Sequence, residues 1–126
     1  MKKIIATSKA PQAIGPYSQG VLGGGLVFVS GQLPVEPASG NISAGDITGQ
    51  TEQSLKNLKA VLEEAGCTLG DVVKVTVYLA QINDFAAMND VYKKYFPADC
   101  PARSAFQVAN LPKAALVEIE AIAVAQ

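Results

Sequence analysis

Three side chains near the end of the chain are of types that could do chemistry together: Arg103, Glu118 and Glu120. The two glutamates stand two apart in Leu116-Val117-Glu118-Ile119-Glu120-Ala121-Ile122-Ala123-Val124. In a strand, that spacing puts both carboxylates on one face. Carboxylates in an otherwise apolar strand need partners, because an unpaired buried charge is strongly unfavourable. Arg103, expected in the neighbouring strand of a hairpin, is the natural partner. Such a trio suits two purposes. It can be a structural ion pair in a core or at a subunit interface, since such networks also shift pKa values. Alternatively, Arg103 grips a ligand carboxylate through its planar fork of donors while a glutamate handles a proton.

The chain contains no histidine. Ser-His-Asp and Cys-His catalytic arrangements and His-ligated metal sites are therefore excluded. Acid–base chemistry near neutral pH must use Glu, Asp, Tyr, Lys or Cys, or bound water. The two cysteines, Cys67 and Cys100, form no CxxC pair, so the ligands of a zinc or redox motif are missing. Weaker candidates lie upstream. Ala13-Ile14-Gly15-Pro16-Tyr17-Ser18 is ordinary turn chemistry, yet it could line a site through Tyr17. Ser30-Gly31-Gln32 puts a glycine at a strand end, where it permits close approach of a ligand or marks a bulge. Asn89 falls amid apolar positions of a helix. Gly23-Gly24-Gly25 lacks the lysine pattern of a phosphate loop.

These residues need elements to hold them. A short strand is expected over Lys3 to Thr7, then a hairpin with arms Ser18 to Leu22 and Leu26 to Gln32 joined by the three glycines. Pro34 to Gly45 reads as a surface loop. The clearest helix spans Asp46 to Ala65, with Ile47, Leu55, Leu58, Val61 and Leu62 on one stripe, Asp46 as N-cap and Gly66 as the stop. A strand over Val72 to Ala80 follows, then a helix from Asn83 to Tyr95 carrying Phe85, Met88, Val91, Tyr92 and Tyr95. Strands over Arg103 to Ala109 and Leu116 to Val124 close the chain. The order predicts one α/β domain over residues 1–126, with a mixed sheet and two helices on one face. Two helices cover only one face, whereas the strands at 72–80 and 116–124 carry apolar residues on both. The other face should then be covered by another copy of the chain.

At 126 residues the chain suits one domain. It is 49% hydrophobic and 17% charged, well inside the globular range. A net charge of −1 and scattered Lys and Arg argue against nucleic acid as a partner. The apolar start is cut short by Lys9 and Pro11, so neither a signal peptide nor a membrane span is expected, and the cytoplasm is the default location.

Taken together, the segments resemble the RidA (reactive intermediate deaminase) family. Pro101-Ala102-Arg103-Ser104-Ala105 through Leu111-Pro112-Lys113 to Val117-Glu118-Ile119-Glu120-Ala121-Ile122-Ala123 is similar to its C-terminal signature. Ala13-Ile14-Gly15-Pro16-Tyr17-Ser18-Gln19 resembles the N-terminal one, Ser30-Gly31-Gln32-Leu33-Pro34 the strand between, and Gln53-Ser54-Leu55-Lys56-Asn57-Leu58 the first helix. The resemblance covers essentially the whole chain. It implies a chorismate-mutase-like α/β fold, a homotrimer with clefts between subunits, and hydrolysis of 2-imino acids or their enamine tautomers to 2-keto acids and ammonia, with no cofactor and no metal. Arg103 then binds the substrate carboxylate, Glu118 orients or activates water, and Tyr17, Ser30, Gly31 and Asn89 line the cleft. Ala105 departs from the many deaminating members that carry cysteine there. The part proposed for that cysteine is mainly its backbone, which alanine preserves. A trimeric 2-keto-acid sensor without turnover is the main alternative, and a ribonuclease or translation inhibitor a weaker one.

Overall fold

The computed structural model describes residues 1–126. Its frame is a six-stranded mixed sheet: β1 (Lys3–Ile5), β2 (Gly20–Gly23), β3 (Leu26–Gln32), β4 (Val72–Leu79), β5 (Ala102–Gln107) and β6 (Val117–Val124). Two helices, α1 (Ile47–Glu64) and α2 (Phe85–Tyr95), pack against it. Each element matches an expected one. β1 is shorter than expected, β2 starts at Gly20, and α2 begins after a single 3-10 turn at Ile82–Asp84.

Local chemistry explains the boundaries. Asp46 caps α1, accepting from the Gly49 N–H at 2.8 Å, and Gly66 leaves the helix at φ +80°. Gly24 and Gly25 turn the β2–β3 hairpin with φ of +60° and +78°, which a two-residue turn of that hand requires.

The strand order is β1-β2-β3-β6-β4-β5. This corrects the expected pairing of the last two strands. β5 and β6 form no hairpin: β5 lies parallel to β4 at the sheet edge, and β6 is inserted antiparallel between β3 and β4. A run of apolar residues on both faces suits a central strand, and β6 has that place.

Val75, Val77 and Leu79 of β4 and Val117, Ile119 and Ala121 of β6 point to the helices and pack with Leu55, Leu58, Leu62 and Met88 in one core. The opposite face carries Phe28, Thr76, Tyr78, Glu118, Glu120 and Ile122, none of them fully buried. Ile4, Phe28 and Phe106 stand 51%, 43% and 46% exposed there, so no element of this chain covers that face. No helix is long and apolar enough to cross a membrane.

Candidate active site

Two groups of the sequence-predicted residues come together, separately. The first gathers Tyr17, Ser30, Gly31 and Glu118. In β3, Val29 pairs with Ala121 and Gln32 with Ile119, so Ser30 and Gly31 together oppose the single Glu120: a β-bulge. The bulge brings Gly31 against the Glu118 side chain. A Cβ on Gly31 would stand 2.9 Å from the Glu118 carboxyl carbon and 3.1 Å from its Cγ. Gly31 has no positive φ, so glycine is required here for closeness alone. Ser30 Oγ donates to the Ser18 carbonyl at 2.6 Å, which fastens the Tyr17 segment to the bulge.

Tyr17, Gln32, Lys113 and Glu118 line a cleft of about 720 Å³. Lys113 and Glu118 are the only charged groups in its wall. Burial holds the Glu118 carboxyl above the usual carboxylate range, and the neighbouring Glu120 charge adds to the effect. Tyr17 is 54% exposed at this cleft and also borders a second cavity, of about 570 Å³, whose walls carry no charge.

The second group is Asn89 and Arg103. Arg103 pairs with Val75, a helix-facing residue, so its side chain rises toward α2. There Nη1 donates to Asn89 Oδ1 at 2.7 Å, and Cζ lies 4.6 Å from the Tyr92 ring centroid and 5.5 Å from that of Phe85. No carboxylate approaches Arg103; the single ion pair of the protein is Lys93–Asp90, at 3.4 Å on the surface. The expected Arg103–glutamate pair is therefore absent. Asn89 does turn inward, and its oxygen is occupied by the arginine. Ala105, two residues on, lies on the same face of β5 and pairs with Val77.

Glu118 pairs with Tyr78, three residues beyond Val75 in β4, and therefore projects from the other face of the sheet. Within one protomer, Arg103 and Glu118 do not share a cleft.

Some positioning residues carried no signal that separates them from ordinary helix or turn residues. Phe85 and Tyr92 read as core aromatics. Asn57 donates through Nδ2 to the Leu33 and Val35 carbonyls at 3.0 and 2.9 Å, and so holds part of the cleft wall against α1. Gln19, only 4% exposed, donates to the Pro11 carbonyl at 2.7 Å and accepts from the Thr7 N–H at 2.6 Å. A polar residue at a buried helical position, as Asn57 is between Leu55 and Leu58, was the one available clue.

Residues 7–125 match the family model described as Endoribonuclease L-PSP. The chain belongs to this family. A RutC family protein of Pyrococcus abyssi is 56% identical over 97% of this chain and 96% of its own. The 2-iminobutanoate/2-iminopropanoate deaminase of Capra hircus is 55% identical, over 98% of this chain and 90% of its own. Among solved structures, Escherichia coli TdcF with bound serine superposes with a TM-score of 0.93 at 52% identity, covering 98% of this chain and 99% of the other. The expected RidA membership, the mixed sheet and the two helices on one face are thereby met.

Proposed function

We propose that the chain hydrolyses 2-imino acids to 2-keto acids and ammonia, as a homotrimer whose clefts join Arg103 of one copy to Glu118 of the next. The observation that carries this reading is the half-buried Arg103 guanidinium, fixed by Asn89 and facing no carboxylate of its own chain. A cation held so lacks its counter-ion, and the carboxylate of a 2-imino acid supplies one. The similarity to deaminases supports the same chemistry. The open sheet face supports association, since exposed Ile4, Phe28 and Phe106 would be buried by it.

The reaction asks little of the protein. Arg103 holds the carboxylate, which fixes the adjacent C=N carbon. The iminium carbon is already electrophilic, so Glu118, as carboxylate, takes a proton from water as its oxygen adds to that carbon. The protonated Glu118 returns the proton to nitrogen of the tetrahedral carbinolamine. The C–N bond then breaks as the hydroxyl gives its proton to the Glu118 carboxylate and becomes the keto oxygen, and ammonia leaves. An enamine such as 2-aminoacrylate first gains a proton at its β-carbon. A carboxyl group with a raised pKa suits this two-way transfer better than an ordinary one. Tyr17, Ser30 and Gly31 shape the wall, and no side chain need act as a nucleophile, so Ala105 serves where relatives carry cysteine. No cofactor is required.

With one lysine in the cleft wall and no histidine in the chain, RNA cleavage has little support here despite the family's description.

The test is keto-acid formation from an imine generated in situ by an amino-acid oxidase, with semicarbazide as competing trap. Wild type should accelerate hydrolysis, Arg103→Ala should abolish the acceleration, and Glu118→Ala should lower it about 10²–10⁴-fold. Wild type equal to the protein-free control, while still binding 2-ketobutyrate, would mark a sensor instead.

A further inference from the structure

We propose that Phe85 and Tyr92 are positioning residues for the carboxylate site: their rings immobilise the Arg103 guanidinium so that its fork meets a ligand already oriented. The inference rests on the reading of Arg103 as the carboxylate anchor and adds how that anchor is held.

Phe85, Asn89 and Tyr92 stand at i, i+4 and i+7 of α2, so one helix face presents all three. In most helices that stripe seals against apolar core. Here Tyr92 belongs to the core and Phe85 packs against it, and both rings also pack on a cation. Arg103 Cζ sits 4.6 Å from the Tyr92 centroid and 5.5 Å from Phe85, inside the range of cation–π attraction, while Asn89 Oδ1 takes Nη1 at 2.7 Å. One hydrogen bond leaves a long side chain free to swing; two ring faces added to it remove that freedom before the ligand arrives.

Tyr92 is itself held. Its ring lies 4.8 Å from Phe96, tilted at 34°. Its hydroxyl is buried without a hydrogen-bond partner, so the ring, not the O–H, makes the contacts that matter. Burial pushes the phenol up to about 12, although Arg103 opposes the shift, and the group that faces the guanidinium is a neutral ring rather than a phenolate.

The experiment compares wild type with Tyr92→Phe, Tyr92→Leu and Phe85→Leu. Three readouts are taken: 2-ketobutyrate affinity by calorimetry, KM and kcat for the oxidase-generated imine, and the NMR order parameter of the Arg103 Nε–Hε group, assigned with Arg103→Lys. Tyr92→Phe keeps the ring and should stay within about twofold of wild type throughout. Tyr92→Leu should raise Kd and KM about tenfold, leave kcat within about twofold and lower the order parameter. Phe85→Leu, at a less buried site, should do the same more weakly, which guards against a Tyr92→Leu protein that fails to fold. Unchanged Kd and order parameter in both leucine variants would overturn the proposal, as would a loss confined to kcat. Should wild type prove inert toward the imine, the deaminase reading falls, and the order parameters still decide whether the rings hold Arg103.

Discussion

Arg103 and Glu118 project from opposite faces of one sheet, with β4 between their strands: Arg103 is in register with Val75 and Glu118 with Tyr78. The odd offset along β4 decides this, because side chains alternate faces at each residue. A ligand that touches both groups must therefore be held between copies of the chain. The surroundings of Arg103 and of Glu118 are built by different parts of the fold.

Mixed oligomers test that geometry directly. Arg103→Ala and Glu118→Ala proteins should each be inactive alone, and co-refolding them in equal amounts should restore about a quarter of wild-type turnover. Each restored site would take Arg103 from one mutant and Glu118 from the other. A co-refolded mixture that stays inactive, with hybrid oligomers shown to form, would overturn a site shared between copies.

Gly31→Ala separates closeness from fold. The added methyl would meet the Glu118 carboxyl, whose Cδ lies 2.9 Å from the new Cβ position. The backbone there needs no left-handed conformation, and the side chain that must yield is half-buried and flexible. Turnover should fall about 10²-fold while the melting temperature moves by about 2 °C or less. A large drop in melting temperature, or unchanged turnover, contradicts this account.

The acid limb of the pH–rate profile reports Glu118. Its carboxyl is held above the usual range by burial first and by Glu120 second, so kcat should rise through a pH above that of an ordinary carboxylate. Glu120→Gln removes the like charge and should move the limb to lower pH. The same shift has a sign for stability: a carboxyl raised in the folded state favours folding when protonated, and that contribution is lost as pH climbs from the unfolded value through the folded one. Glu118→Gln, permanently neutral, should therefore melt higher than wild type at pH 8 and show no such gain at pH 4.

Phe28→Asp tests what the open face is for. Phe28 lies in register with Ile122 and is 43% exposed, away from the helices. A charge there should shift the sedimentation of the protein to that of a monomer and remove activity, with the far-ultraviolet circular dichroism unchanged. An aspartate variant that sediments like wild type would take this face out of the assembly.

How far the site was legible differs residue by residue. Glu118 and Glu120 were placed on one face by spacing alone, and the bulge at Ser30-Gly31 was among the readings open to a glycine at a strand end. Asn89 turns inward to Arg103, although an asparagine among apolar helix positions is more often exposed. The roles of Phe85 and Tyr92 were hidden, because an aromatic stripe packed on a core and one packed on a guanidinium have the same period. The hairpin expected between the last two strands was wrong for a related reason: neighbours in sequence usually pair, but the longer, two-sided apolar run of β6 is better buried between β3 and β4 than at an edge.

The sequence by itself determined the elements: hydrophobic period, Asp46 and Gly66 at the ends of α1, and Gly24-Gly25 in the hairpin are all local choices with local energies. It also determined that one sheet face would lie open in the single chain, since two helices cannot shield both. Only the tertiary structure decided that Arg103 and Glu118 part company. Strand order is a contest among pairings far apart in the chain, settled by which arrangement buries the most apolar surface, and no spacing within β5 or β6 encodes its result.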